Sequence, residues 1–127
     1  MWRCVTCEQT HGRNWKRKTD REDKPRRLFD AARERARKQG LEFSITLDDV
    51  RRAWPADGVC PALGVALKQG KGKAHDASPT LDRINAAWHY TPNNIAVISL
   101  AANRAKGRMR ASELERIAAW MRQQGMD

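Results

Sequence analysis

The stretch "SPTLDRINAAWHYTPNNIAVISLAANRAKG", residues 78–107, decides the fold of this chain. "TLDRI" and "IAVIS" are short runs with apolar and β-branched residues, and they predict two strands. The segment between them, "NAAWHYTPNN", is longer than a tight hairpin turn. "SLAANRAKG" has helical composition, with Ser99 as a candidate N-cap and Gly107 as terminator. This stretch therefore predicts a strand, a long loop, a strand and a short helix.

Further elements are predicted upstream of this unit. A helix opens at Lys24-Pro25, because proline is tolerated in a first turn, and Gly40 ends it. "LEFSIT", residues 41–46, alternates apolar and polar side chains and predicts a short strand. Thr46 and Asp49 form a plausible capping pair for a second, short helix. "CPALGVAL", residues 60–67, predicts a turn followed by a short strand.

The last helix has the most regular pattern in the chain. Ser112 and Glu115 match a capping box, and an apolar stripe follows at helical spacing. Trp120 lies in this helix, and we expect it to be a core residue, as we expect for Trp54. The chain as a whole predicts an α+β fold with a small sheet flanked by helices. The stripe comprises Leu114, Ile117, Ala118 and Met121.

The composition points to a polyanionic partner. The chain has 127 residues, enough for one domain with a modest core, and 25 Lys and Arg against 15 Asp and Glu give a net charge of +10. Residues 1–40 carry 13 basic and 6 acidic side chains, a net +7. We therefore divide the chain into a basic arm, residues 1–24, and a folded domain, residues 25–127. The alternative is that the charge only forms a solvated surface.

The same composition argues against a membrane protein or a secreted one. No apolar run approaches the ~20 residues that span a bilayer. The first residues, "MWRCVTCEQTHGRNWKRK", lack the apolar core of a signal peptide. We therefore expect a cytoplasmic protein with reduced thiols.

The polar residues of the opening stretch suit hydrolysis of a phosphodiester. This chemistry calls for a divalent cation with hard oxygen ligands and open positions, and for cationic groups that hold the phosphate backbone. Asp82 at the end of one strand and Asn103 on the following helix could converge on one metal ion. Arg83, Arg104 and Lys106 supply positive charge beside them.

Several motifs together resemble the HNH, or His-Me finger, endonucleases, in particular a branch common in bacteriophages. "SPTLDRI", "YTPNNIAVIS" and "AANRAKG" are similar to the SPSLDRI, GYTPGNV-x-VIS and AN-x-x-K elements of that branch. "CPALGVAL", "RARKQGLEFSITLDDV" and "ASELERIAAWM" are similar to its flanking segments. The resemblance covers roughly residues 28–122 with the elements in order. It implies a His-Me finger, with residues 78–107 as its core, and a metal-dependent nuclease activity.

The resemblance also implies roles for individual residues. Asp82 falls on a metal-binding aspartate, and Asn103 falls on the last position of the motif, a metal ligand. Asn94 falls on the middle asparagine, which orients the base or braces the loop. Lys106 matches a lysine that commonly follows. The implied cofactor is one divalent cation, Mg²⁺ or Mn²⁺.

The position of the usual catalytic histidine is occupied by Arg83. Arginine stays protonated at neutral pH and is a poor general base. Three alternatives follow. Arg83 positions phosphate while another group activates water, or His89 substitutes in part, or the site is weak or inactive. His89 beside Trp88 also suits simple loop packing.

The cysteines suggest a structural zinc site. Cys4 and Cys7 have zinc-knuckle spacing, and His11 follows four residues later. A closed zinc site takes four ligands, so Cys60 would complete the set. Cys60 is alternatively a core residue.

The sequence therefore predicts a metal-dependent DNA endonuclease, phage-encoded, that acts on duplex DNA. The alternative is a nucleic-acid-binding module that keeps the fold without the chemistry. A homodimer and association with phage packaging proteins are further candidates. The residues expected to bind nucleic acid are Arg33, Arg37, Lys71, Lys73, Arg83, Arg104 and Lys106.

Overall fold

The computed structural model describes residues 24–69 and 73–126, and it shows a small α+β domain in those residues. None of the helices in this part of the chain is long and apolar enough to cross a bilayer. Two strands and four α-helices make up the described fold. They are α1 (Lys24–Gln39), α2 (Leu47–Ala53), β1 (Pro79–Arg83), β2 (Ile95–Ser99), α3 (Leu100–Lys106) and α4 (Ala111–Gln123).

The two strands form an antiparallel pair at the centre of the domain. Asp82 pairs with Ala96, and Arg83 with Ile95. The long connection between the strands, residues 84–94, is hereafter the finger loop, and residues 78–107 are the finger. The loop ends in a 3-10 turn, Pro92–Asn94. The predicted order of strand, long loop, strand and helix is confirmed.

Helix α1 packs on this finger through small residues. Ala32 and Ala36 are 0% and 1% exposed, so the helix backbone lies close to its neighbours. Gly40 has a φ of +67°, the left-handed conformation that ends helices and favours glycine. The rings of Phe29 and Phe43 then lie 5.3 Å apart in a core that also contains Val50, Leu81 and Val97.

The predicted strand at residues 41–46 is wrong. Phe43 forms only an isolated parallel bridge with Tyr90 of the finger loop. The Ser44 N–H donates to the Tyr90 carbonyl at 2.9 Å, and the Tyr90 N–H donates to the Glu42 carbonyl at 3.1 Å. A loop offers no extended partner, so the pairing stops there. The Thr46–Asp49 cap of α2 is confirmed, with N–H to oxygen distances of 2.8 and 3.2 Å.

The last helix differs from its prediction in two ways. It begins at Ala111, and the Arg110 N–H donates to Glu113 at 3.0 Å, so the cap lies two residues before the Ser112–Glu115 pair. No residue of α4 is buried, and Trp120 is 60% exposed. The expectation of a core tryptophan is therefore wrong. Periodicity identifies an apolar face, but it does not show what covers that face.

Candidate metal and phosphate site

One cleft brings the predicted metal ligands together. It has a volume of about 460 Å³ and lies between the finger and α1. Asp82 and Asn103 both line it, and so does Arg83. Residues from outside the finger complete the walls, among them Arg35 and Arg108.

Asp82 makes an ion pair at the edge of this cleft. Its Oδ2 lies 3.0 Å from Lys106 Nζ, and the two side chains are only 13% and 22% exposed. Lys106 Nζ also donates to the Arg83 carbonyl at 2.9 Å. Lys106 is therefore fixed against β1 and neutralises Asp82.

Asn103 is oriented by Thr80. Its Nδ2 donates to Thr80 Oγ1 at 3.2 Å, and Thr80 Oγ1 donates to the Ile98 carbonyl at 2.9 Å. With the amide nitrogen engaged, Asn103 Oδ1 is the atom left for a cation.

The donor set of the cleft fits a hard cation. A carboxylate and an amide oxygen are ligands that Mg²⁺ or Mn²⁺ accepts, and Mg²⁺ commonly keeps water and substrate phosphates in its remaining positions. Within the described ranges no group of three or more His, Cys, Asp or Glu side chains could hold a metal. Asp82 and Asn103 would thus offer two oxygen ligands and leave the other positions of such an ion to water and phosphate.

Asn94 holds the finger loop through both ends of its amide. Its Oδ1 accepts from the Asn85 N–H at 2.8 Å. Its Nδ2 donates to the carbonyls of Asn85 and His89 at 3.1 and 2.9 Å. The residue is 8% exposed, so these bonds are shielded from water. Asn94 thus has the contacts of a loop brace.

Arg83 is also tied into the finger loop. One terminal nitrogen donates to the carbonyls of Ala86 and Trp88 at 2.9 and 2.8 Å. The guanidinium carbon lies 5.4 Å from the centre of the Tyr90 ring. Arg83 therefore organises the loop while lining the cleft, and its other guanidinium N–H groups are those that a phosphate would meet.

His89 lies outside the set of residues that line the cleft. Its Nδ1 accepts from the Glu42 N–H at 3.0 Å, which joins the finger loop to the segment after α1. In the neutral ring the proton is then on Nε2, so neither nitrogen has a free lone pair for proton abstraction. The catalytic role of His89 stays a prediction, and this hydrogen bond argues against it.

The basic residues of α1 differ from one another. Arg33 pairs with Asp30 at 3.3 Å, and Arg37 pairs with Glu34. The hydrogen bond from Arg37 lowers the pKa of the Glu34 carboxyl. Both predicted nucleic-acid contacts are thus balanced by a carboxylate, whereas Arg35 lines the cleft.

Sequence reasoning missed Arg35 and Arg108 as residues of the cleft. A signal for Arg35 was present, since Leu28, Arg35 and Gln39 share one helix stripe through spacings of seven and four. Among the other predicted contacts, Arg104 and Lys73 are exposed, and Lys71 lies outside the described residues.

Cys60 is buried in a second small core with Ile98 and Ala102. Burial raises the pKa of its thiol, but hydrogen bonds from Ser99 and from the backbone of residues 62 and 63 lower it, to about 7 overall. The Ser99 N–H lies 3.3 Å from the sulfur. The other predicted zinc ligands, Cys4, Cys7 and His11, lie outside the described residues.

The described fold is similar to that of an HNH endonuclease. No protein-family model matches the chain, and no curated protein matches it. Among solved structures, it is similar to the rare-cutting HNH restriction endonuclease PacI, with a TM-score of 0.56 and 16% sequence identity over 82% of this chain and 83% of that one. PacI is described as perturbing DNA. At this identity the likeness establishes the fold.

Proposed function

We propose that this protein is a metal-dependent DNA endonuclease that hydrolyses phosphodiester bonds. The observation that supports it best is the cleft that Asp82 and Asn103 both line, in a chain with an HNH-type fold. Duplex DNA as the substrate follows by analogy with the restriction enzyme. The phage-type motifs support a bacteriophage origin, and a homodimer or phage packaging proteins are further candidate partners.

In this proposal Asp82 and Asn103 hold one Mg²⁺ or Mn²⁺ ion. When bound, such an ion supplies charge neutralisation at the phosphate and a lowered pKa of water. Asn94 keeps the finger loop in shape through its three hydrogen bonds. Lys106 contacts the phosphate backbone, as do the guanidinium N–H groups of Arg83 that are not bonded to the finger loop.

A second function is favoured by one specific observation. Arg83 stands at the position that the HNH resemblance assigns to the usual catalytic histidine, and the two ring nitrogens of His89 offer no free lone pair. A nucleic-acid-binding module on a nuclease fold would need neither group as a base. Its affinity would still depend on phosphate neutralisation and fall steeply with salt.

Plasmid nicking distinguishes the two functions. Purified protein is incubated with supercoiled plasmid and Mg²⁺, Mn²⁺, Zn²⁺ or EDTA, and Asp82→Ala is compared with Asp57→Ala, which alters a carboxylate outside the cleft. We expect metal-dependent nicking that falls by roughly a hundredfold or more in Asp82→Ala, because a metal ligand is lost. Asp57→Ala should nick normally.

Nicking that persists in EDTA or in Asp82→Ala would refute the site. Tight, salt-sensitive DNA binding without nicking by the native protein under any metal would instead support the binding module. Gel electrophoresis of relaxed and linear forms, with a filter-binding assay in parallel, measures both outcomes.

We also propose a structural zinc ion on Cys4, Cys7, His11 and Cys60. The lowered pKa of Cys60, about 7, supports it, because the thiolate is the zinc ligand. We expect one zinc per chain by elemental analysis, and its loss in Cys4→Ser. Leu63→Ser, an exposed change near Cys60, is the matched control. Zinc-free native protein that contains three reduced thiols after unfolding would contradict this site.

A further inference from the structure

Arg35 is a cation of the cleft that comes from outside the finger. It lies on α1, and its terminal NH2 group donates to the Leu81 carbonyl at 3.4 Å. Leu81 immediately precedes Asp82 in β1, so the guanidinium is held beside the strand that carries the candidate metal ligand. Arg108, which follows Gly107 at the end of α3, lies on the wall of the same cleft.

Among the residues that the structure describes, Arg35 differs from its neighbours on α1 in its ion pairing. In residues 24–69 and 73–126 the side chain makes no ion pair, whereas Arg33 pairs with Asp30 and Arg37 with Glu34. Residues two positions apart lie on opposite sides of an α-helix. Arg35 therefore faces the cleft while its two neighbours face away from it.

We propose that Arg35, with Arg108, forms a phosphate subsite for DNA beside the candidate metal site. The ligand is a phosphodiester group next to the one that is cut, and the inference thus rests on the proposed function. An arginine can bind two phosphate oxygens at once with parallel N–H groups. Arg35 acts as a positioning residue, because it fixes the backbone relative to Asp82 and Asn103.

This subsite would allow the cleft to bind two neighbouring phosphates of a DNA strand, and not only the phosphate that is cut. The finger supplies the candidate metal ligands, and α1 supplies a cation that is hydrogen-bonded to β1 next to Asp82. A strand that enters the cleft would then be held at two successive phosphates. Fixing the reacting group in this way raises the rate of the chemical step more than it raises affinity.

The salt dependence of DNA binding tests the subsite without any cleavage. Binding to a short duplex is measured in EDTA over a range of salt for native protein, Arg35→Gln and Arg33→Gln. Glutamine is a polar residue that is compatible with a helix, and it removes the charge and the paired N–H groups of the guanidinium. We expect the slope of log affinity against log salt to fall by about 0.9 in Arg35→Gln, the loss of one phosphate contact, and to stay unchanged in Arg33→Gln.

Cleavage supplies the second readout. We expect the kcat of nicking by Arg35→Gln to be roughly tenfold to a hundredfold lower than that of the native protein, with a smaller change in KM. Arg35→Lys should be intermediate, since it keeps the charge but not the paired N–H groups. Replacing the contacted phosphate of the DNA by a neutral methylphosphonate should slow cleavage by the native protein. The same replacement should not slow cleavage by Arg35→Gln any further.

The possible results separate this inference from the nuclease proposal. An unchanged salt slope in Arg35→Gln, or equal slopes in Arg33→Gln and Arg35→Gln, would overturn the subsite even if the native protein cuts DNA. No nicking by native protein under any metal would refute the nuclease, while the salt slopes would still decide whether Arg35 binds phosphate. Native protein that does not bind DNA would overturn both.

Discussion

Asn94 shows how one amide can determine the shape of a loop. Its oxygen and nitrogen together meet one N–H and two carbonyls of the finger loop. A carboxylate in its place would keep the acceptor and lose both donations. The surrounding carbonyls would then face a negative charge in a buried position.

We therefore expect Asn94→Asp to destabilise the protein. The two unsatisfied carbonyls should lower the free energy of unfolding by about 2–4 kcal/mol, measured by urea denaturation. Asn93→Asp is the control, because Asn93 is the exposed neighbour in the same turn. Equal losses in both variants would show that Asn94 does not brace the loop.

The Lys106 ammonium group forms an ion pair with the Asp82 carboxylate, which a bound metal ion would also need. Replacing it by methionine keeps the length of the side chain and removes the charge. We expect Lys106→Met to bind Mn²⁺ more tightly, by roughly three- to tenfold, the equivalent of an ion pair of about 1 kcal/mol. Titration followed by electron paramagnetic resonance measures this affinity.

Arg104→Met is the control for this change, since Arg104 is an exposed cation on the same helix. If the two variants gain affinity equally, the effect is one of general charge and the ion pair with Asp82 is not responsible.

The sequence allowed the residues of the finger to be predicted better than their contacts. Asp82 and Asn103 follow from motif positions, and the structure brings both to one cleft. Arg83 is different, because its bonds to two loop carbonyls depend on the path of the finger loop. The role of Arg35 depends on where α1 packs, and periodicity fixes the face of a helix but not its neighbour.

Among the elements, the strands and helices with local signals were predictable. The cap of α2 and the glycine after α1 are determined by neighbouring residues. Residues 41–46 have a strand pattern, but their pairing depends on a distant loop, and only the bridge at Phe43 forms. Local chemistry therefore predicts an element better than it predicts its partner.

Two tryptophans, Trp120 in α4 and Trp54 just after α2, provide a direct test of this difference. Trp120 is 60% exposed, whereas Trp54 is partly buried and packs against the main core. We expect Trp54→Ala to cost about 2–4 kcal/mol in the free energy of unfolding and Trp120→Ala less than about 0.5 kcal/mol. Urea denaturation of both variants measures the difference. A large loss in Trp120→Ala would mean that the helix is covered in solution.

For the whole molecule, the net charge of +10 does not show how the positive charges are distributed. Several arginines of the described residues are paired with carboxylates three positions away, including Arg33, Arg37 and Arg52. Exposed pairs of this kind contribute little to stability, but they do cancel charge locally. Arg35 and Arg108, by contrast, line the cleft that also contains Asp82.

The ion pair between Lys106 and Asp82 makes the protein a candidate for heterotropic cooperativity. While the pair is closed, the two charges cancel at the edge of the cleft. If a divalent ion takes over the carboxylate, the ammonium group is released and the cleft becomes more positive by the full charge of that ion. Metal would then raise the affinity for a polyanion, and by reciprocity the polyanion would raise the affinity for metal by the same factor. The cleft would fill with both ligands together more readily than with either alone.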